Sequence, residues 1–561
     1  MLRKCDHFEI DGVDVVGGKK PVASPRERPT TFGSREDLPY TKSSVLSCVF
    51  RSLILDEKMI LPQLIFVACC LLLVGTTFTY AAKREEKGPY KIFQIIPETN
   101  KDLISLIKLH DEGELDFWRA PSHLNSSVDV MIPPSELIYF EKFLQTNDLK
   151  SKIIVEDLAK LIQEKEIDDP RHLFRPNRLI GRDDAGWNNY GARMGEYYSY
   201  NEIVAWMKRI EAANRNIVRV FSIGKTAEKR DIYGIKFGNP AENTKKRVVW
   251  IDGGIHAREW TAVHTAMYFI YSLINAYGKD TPLTRFMDNY NIVVFPCLNP
   301  DGYEFTRSDP RNPSVRMWRK SRSDERCAND HRGEKRCCKG VDLNRNFAYR
   351  FAETGTSYSP CSEIFHGAGA FSEPETRAVR DAIVNSELTG KIDALITLHA
   401  YSQLWIYPFS HQKFAYPEDI ADLKAVAKKA VSEVGKLYGT HYMYGTGPEI
   451  IYAYTGGLSD WAKETAKIKY SYTIELRPSY FDWNGFILDK RQLIPTAREA
   501  FEGVKVVFDR VLQEHPPLDT PSDGCVDLQT ACTSWLQSNP RICVDSRAAM
   551  LKDCRKSCQL C

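Results

Sequence analysis

The run His256-Ala257-Arg258-Glu259 places an imidazole and a carboxylate three residues apart. Where the chain turns, both can face one ion, and a borderline metal such as Zn²⁺ accepts nitrogen and oxygen ligands together. Alone the pair says little. With 12 histidines and 73 acidic residues in 561, chance supplies about 1.6 such pairs, and a structural salt bridge accounts for one more simply. Other polar residues stand just past apolar runs, at Asn299–Asp301, His399 and Glu475. In an open α/β sheet, groups placed there face the crevice at the carboxyl ends of the strands.

Such groups need a frame. From about Trp187 to His515, apolar strands (RVVWID, NIVVFP, DALITLH, YSYTIEL) alternate with helical patterns such as WTAVHTAMYFIYSLINAYG and EDIADLKAVAKKAVSEVGKLYG, the signature of an α/β domain. Ahead of it, Pro89 to Glu166 alternates shorter elements. IFQII and VDVMI are strand-like, KDLISLIKLH is helical, SELIYFEKFLQ is a helix beginning at a Ser cap, and KIIVEDLAKLIQEK is a strand running into a helix. A unit of this size buries a small core of its own. DDPRHLFRPNRLIGRDD has no periodicity and forms an exposed connector, while HPPLDTPSDG is a Pro-rich linker. The resulting plan is 1–58 disordered or upstream of the true start, 59–81 a leader, 82–170 a small α+β domain, 171–186 the connector, 187–515 the α/β domain, 516–524 a linker and 525–561 a cysteine-rich module.

Composition excludes some classes. Hydrophobic residues make up 43% and aromatics 11%, which rules out a wholly disordered or collagen-like chain. A net charge of +3 leaves no global field for nucleic acid. Six of the 15 cysteines (Cys525, Cys532, Cys543, Cys554, Cys558, Cys561) crowd into the C-terminus, the mark of a disulfide-stapled module from an oxidising compartment. Ile60–Tyr80 is the one long apolar stretch, and its dense core, Leu64–Val74, suits the h-region of a signal peptide that begins at Met59 better than a full span. A type II membrane anchor is the rival reading. Asn125-Ser126-Ser127 is a lone glycosylation sequon.

The order WIDGGIHAREWTA, NPDGYEFT, MWRKSR, GVDLNRNF, LHAYSQLWIYP, IYAYTGGLSDW and SYTIELR resembles the zinc carboxypeptidases of the pancreatic A/B type throughout the large domain. That resemblance implies a mixed eight-stranded sheet with helices on both sides, and it makes the Pro89–Glu166 unit, with LDFWRAPSH, an activation domain. The protein would then be a secreted zymogen whose connector is cut by a trypsin-like protease, with Arg178 and Arg182 as candidates. It implies one Zn²⁺, held by His256, Glu259 and His399 with a position open for water, and Asp342 orienting a ligating histidine. Glu475 matches the general base and Arg319 the cation that stabilises the oxyanion. Asn344 and Arg345 match the clamp on the substrate's terminal carboxylate. Tyr452 matches a tyrosine that closes over substrate, Arg258 an outer-subsite arginine, and Phe486 the lining of the next subsite, although RPSYFDWNGF is two residues longer than the usual loop. Lys320 and Arg322 read as solvated surface charge.

The resemblance places a disulfide at Cys338–Cys361. Cys327 and Cys337, inside an insertion, pair with each other, which leaves Cys297 a buried free thiol. The terminal cysteines resemble the ShKT toxin-like module, implying Cys525–Cys561, Cys532–Cys554 and Cys543–Cys558, although spacing alone allows 15 connectivities. Ala548-Ala549 stand where a channel-blocking Lys-Tyr pair would be, so the module's partner would be a matrix or protein ligand. Ser459 falls at the floor of the specificity pocket, which implies removal of neutral, mainly apolar residues from peptide or protein C-termini. A catalytically silent binding protein on the same scaffold is the alternative; such a protein should have lost Glu475 or a ligand, and none is missing.

Overall fold

A computed structural model describes residues 88–167, 190–330, 333–515, 527–546, 549–550 and 553–558. The leader, Arg178 and Arg182, the linker, Cys525, Ala548 and Cys561 lie outside the described residues. Among the described residues, no helix is long and apolar enough to cross a membrane.

The small domain is an antiparallel sheet of β1 (Lys91–Ile95), β2 (Asp116–Arg119), β3 (Val128–Ile132) and β4 (Ser151–Val155), in the order β2-β3-β1-β4. Period-2 alternation sends Phe93, Ile95, Val128, Val130 and Ile132 to one face, where Leu106, Leu109, Phe140 and Leu144 of two helices cover them. Ile92, Trp118 and Met131 point the other way and join the core of the large domain. The two domains therefore share a buried face. Thr99 and Asp102 form a capping box on the first helix. The helix expected to begin at a Ser cap instead spans Leu137–Asn147, behind a 3₁₀ turn at Pro134–Glu136, and it has no side-chain cap. Pro134 at the first position of that turn lacks an N–H and presets its φ.

The large sheet contains β5 (Val218–Lys225), β6 (Asp231–Phe237), β7 (Arg247–Gly253), β8 (Tyr290–Phe295), β11 (Ile392–Ser402), β12 (Leu404–Ile406), β13 (Met443–Gly445) and β14 (Tyr470–Ser479). Its order is β13-β12-β14-β11-β7-β8-β6-β5, the expected mixed eight-stranded sheet. The central pairs β14/β11, β11/β7 and β7/β8 are parallel, and the β12/β14, β8/β6 and β6/β5 pairs are antiparallel. Ile251, Ile396 and Ile474 face the helices Trp260–Ala276, Ile420–Tyr438 and Leu493–Glu514; Trp250 and Leu395 face Pro374–Val384 and Leu458–Glu464. Burial on both faces is why the central strands read as unbroken apolar runs. A separate hairpin, β9 (Arg326–Asn329) with β10 (Lys335–Cys338), carries the Cys327–Cys337 disulfide. Other disulfides join Cys338 to Cys361, Cys532 to Cys554 and Cys543 to Cys558. Cys297 is a buried free thiol.

Candidate active site

Register brings the site together. β11 and β14 run parallel with His399 opposite Glu475, and Leu398 lies opposite Gly253 at the end of β7. Both His399 and Glu475 stand inside their strands, whereas the sequence placed them just past the ends. After β7 the chain turns through Gly254, at φ +61°, where a Cβ would meet Val263 and Cys297. His256 and Glu259 follow, the latter at the start of the long helix. Asn299, expected near the crevice, is a fastener: its Oδ1 accepts from Gly302 N–H, and its Nδ2 donates to the carbonyls of Ile255 and Lys320.

His256 Nδ1 lies 2.7 Å from Glu259 Oε1 and 3.2 Å from His399 Nδ1, and His399 Nδ1 lies 3.1 Å from Glu259 Oε2. All three side chains are buried. A neutral His256 that donates from Nε2 to Asp342 Oδ1, 3.1 Å away, turns an Nδ1 lone pair toward the other two groups. Two imidazole nitrogens and a carboxylate converge here, with ligand atoms within 4.8 Å of one another, close enough to share one cation. The donor set fits zinc.

Asp342 is the hub behind them. Its Oδ2 accepts from Arg319 Nε and Nη2 at 3.1 and 2.9 Å, Oδ1 also accepts from Asn344 N–H, and Arg345 Nη1 lies 3.9 Å off. Burial alone would raise its carboxyl, but Arg319, Arg345 and His256 hold it well below the usual range. Burial likewise opposes, and the histidines outweigh, in pulling Glu259 down. Arg319 is pulled down by burial and more than restored by Asp342, Tyr452 and Glu259, so it stays charged. Burial, with the Glu259 charge, pushes Glu475 up to about 8 against His399, Arg319 and Arg345.

Arg345 donates to the carbonyls of Gly355 and Asn344, and its Nη2 reaches Tyr452 Oη at 3.3 Å. Gly456, at φ +72°, packs where a Cβ would stand 2.3 Å from the Arg345 carbonyl, so only glycine lets the two loops meet. Asn344 Oδ1 accepts from Leu458 N–H, tying the Asn344-Arg345 turn to the helix that bears Ser459.

The sequence profile of the zinc carboxypeptidases matches residues 203–503, and that of the carboxypeptidase activation peptide matches 93–165. Carboxypeptidase A2 of Mus musculus is 34% identical over 79% of this chain and 99% of its own length. The chain belongs to the zinc carboxypeptidase family. Carboxypeptidase B of Astacus astacus is 40% identical over 56% of the chain and 97% of its own length. Relatives named for both types therefore match. The crystal structure of thrombin activatable fibrinolysis inhibitor superposes with a TM-score of 0.63 at 29% identity, covering 76% of this chain and 99% of that one.

In this carboxypeptidase zymogen the activation domain lies against the site. Asp116 of β2 accepts from Arg258 Nη1 at 2.6 Å and from Trp118 Nε1, and Trp118 meets Phe486 edge to face. Phe486 itself is buried beneath the Arg258 guanidinium, 4.1 Å from its centroid. Glu166 forks onto Arg316 Nε and Nη2, both at 2.7 Å, with both side chains fully buried.

Two features depart from the sequence reading. Lys320 is 2% exposed and donates to the Pro360 carbonyl, and Arg322 lies over Phe305 and Trp318. Lys320 is closed off by the Cys338–Cys361 loop, and Arg322 is partly covered by those two rings. Asp252, Thr397, Asp116, Glu166 and Arg316 were not singled out. Thr397 Oγ1 donates to Asp252 Oδ1 at 2.7 Å and lies 3.4 Å from His399 Nε2, supporting that histidine as Asp342 supports the other. A carboxylate inside the apolar run WID was the available signal for Asp252.

Proposed function

We propose that this carboxypeptidase is secreted as a zymogen, is activated by a trypsin-like cut in the 171–186 connector, and removes single neutral, mainly apolar or aromatic residues from peptide C-termini. His256, Glu259 and His399 hold the zinc. When bound, zinc supplies Lewis acidity to water and to the scissile carbonyl, and a charge that favours the ionised form of Glu475. Glu475 takes a proton from the attacking water and returns it to the leaving amine. Arg319, fixed by Asp342, holds the negative charge growing on the carbonyl oxygen. Arg345, with Asn344 and Tyr452, receives the terminal carboxylate, which restricts cleavage to chain ends.

The observation that carries the specificity is the chemistry around Ser459. Its Oγ accepts from Thr473 Oγ1 at 3.1 Å, and its carbonyl accepts from Ser471 Oγ. The adjacent Asp460 carboxylate accepts from Ser410 N–H at 2.7 Å, and burial pushes it up to about 7. A terminal Lys or Arg brought here would be desolvated without a free anion, at a cost of several kcal/mol. An acidic terminus would find no cation at Ser459. The C-terminal cysteine module resembles an ShKT unit, and we assign it a matrix- or protein-binding role.

The test is to nick the purified zymogen with trypsin and measure kcat/KM on matched peptides ending in Phe, Leu, Lys, Arg and Glu, with and without chelator, and on amidated forms. Phe and Leu acids should lead, amides should be poor, and chelator should abolish release. Lys or Arg ahead of Phe by tenfold, about 1.4 kcal/mol in the transition state, would reverse the specificity.

A further inference from the structure

Two aromatic faces of the segment just after β14, those of Tyr480 and Trp483, each hold a cation of the activation domain. The Arg119 guanidinium lies 4.2 Å from the centroid of Tyr480 and 6.0 Å from that of Tyr401, and its Nη2 points at the Asp482 carbonyl, 3.5 Å away. Three residues along the same loop, the Lys152 ammonium lies 4.5 Å from the centroid of Trp483. Arg119 is 7% exposed, so this cation is held out of water between rings. Its ion-pair partner, Asp129 at 3.1 Å, belongs to the activation domain as well. When that domain leaves, guanidinium and carboxylate leave together, and the ring faces remain.

Those faces adjoin the cleft. Tyr401 stands two residues beyond His399 and meets Phe486 edge to face at 5.0 Å, beside Arg258. A line of aromatic groups, Phe486, Tyr401 and Tyr480, thus runs outward from the site, and the zymogen fills it with one β2 strand bearing Asp116, Trp118 and Arg119. The electron-rich faces attract a cation and repel an anion, whereas a neutral side chain gains contact only.

We propose that Tyr480 and Tyr401, with the Asp482 carbonyl, form a subsite of the activated enzyme for a Lys or Arg side chain of the peptide, upstream of the bond that is cut. Arg119 is its internal occupant in the zymogen. The proposal rests on the exopeptidase reading above, and it concerns a residue distant from the one released. The terminal pocket refuses cations while the outer end of the cleft selects them.

The experiment uses the activated, zinc-loaded enzyme and peptides that share a C-terminal Phe. A single Arg, citrulline or Glu is moved through the upstream positions. At one position Arg should exceed citrulline in kcat/KM by about five- to tenfold, with Glu below citrulline. The Arg/citrulline ratio should fall to near one in Tyr480→Leu and persist in Tyr480→Phe, which keeps the ring. An Arg/citrulline ratio under about two at every position of the unmutated enzyme overturns the subsite, as does a ratio that survives Tyr480→Leu. If no peptide is cut at all, the exopeptidase reading fails instead. Calorimetric binding of the same peptides to the activated protein then reads the same ratio, and equal affinities overturn the subsite.

Discussion

Replacing Glu166 by Gln should turn the latent zymogen partly on. Glu166 and Arg316 form a two-bond fork with both side chains fully buried. Arg316 has further duties on the catalytic side: its Nη1 donates to the Arg258 carbonyl, and its guanidinium lies 3.8 Å from the centroid of Trp260. The mutation removes the anion and leaves that cation buried. Breaking a buried pair from one side costs about 3–5 kcal/mol; glutamine retains a neutral hydrogen bond, so the lower figure, about 3 kcal/mol, applies. While the undocked form is rare, this shift multiplies its population roughly 150-fold. The assay is release of a C-terminal Phe by uncut protein, together with the rate of tryptic cutting in the connector. Both should rise, the first in proportion to the undocked fraction. After complete activation the variant and the unmutated enzyme should be indistinguishable, since Glu166 departs with the activation domain. Unchanged latent activity and an unchanged cutting rate would refute the latch.

Glu475→Gln should lower kcat by about 10²- to 10⁴-fold with zinc content intact; near-normal turnover would remove Glu475 as the proton carrier. Asp342→Ala should weaken zinc binding by about 10- to 100-fold, read by competition with a chromogenic chelator, and unchanged affinity would count against its hold on His256. Glu375 is buried, accepts from Ala227 N–H, and is pushed up to about 7 by burial and by the nearby Glu373 and Asp301 carboxylates. An acid whose pKa rises on folding stabilises fully below its unfolded pKa near 4.5 and loses that stability as pH rises toward 7. The loss is about 3 kcal/mol, so urea midpoints at pH 5 and pH 7 should lie closer together in Glu375→Gln than in the unmutated protein.

Legibility followed burial. Strands β7, β8, β11 and β14 are buried on both faces, so their apolar runs announced them. β12 and β13 have three residues each, too few for any period, and β5 is an edge strand, mostly half-buried with no alternation to read. β2 was not legible as a strand: Asp116 and Arg119 look solvated, and only the facing catalytic domain, through Arg258 and Tyr480, buries them. Lys320 misled for the same reason, since nothing local in MWRKSR foretells the Pro360 carbonyl that accepts its hydrogen bond.

The sequence by itself determined the residue types, their chain order and the local turn that lets His256 and Glu259 face one point. Those are consequences of spacing, and spacing is visible in one dimension. Only the tertiary structure decided that His399 meets them, 143 residues away, because that depends on the parallel register of β7 with β11. It also decided that Asp342 serves His256, Arg319 and Arg345 at once, and that the activation domain closes the outer cleft with a cation between rings. Convergence of this kind is set by the packing of strands and loops distant in the chain, where each contact's geometry rests on the whole core rather than on its neighbours in sequence.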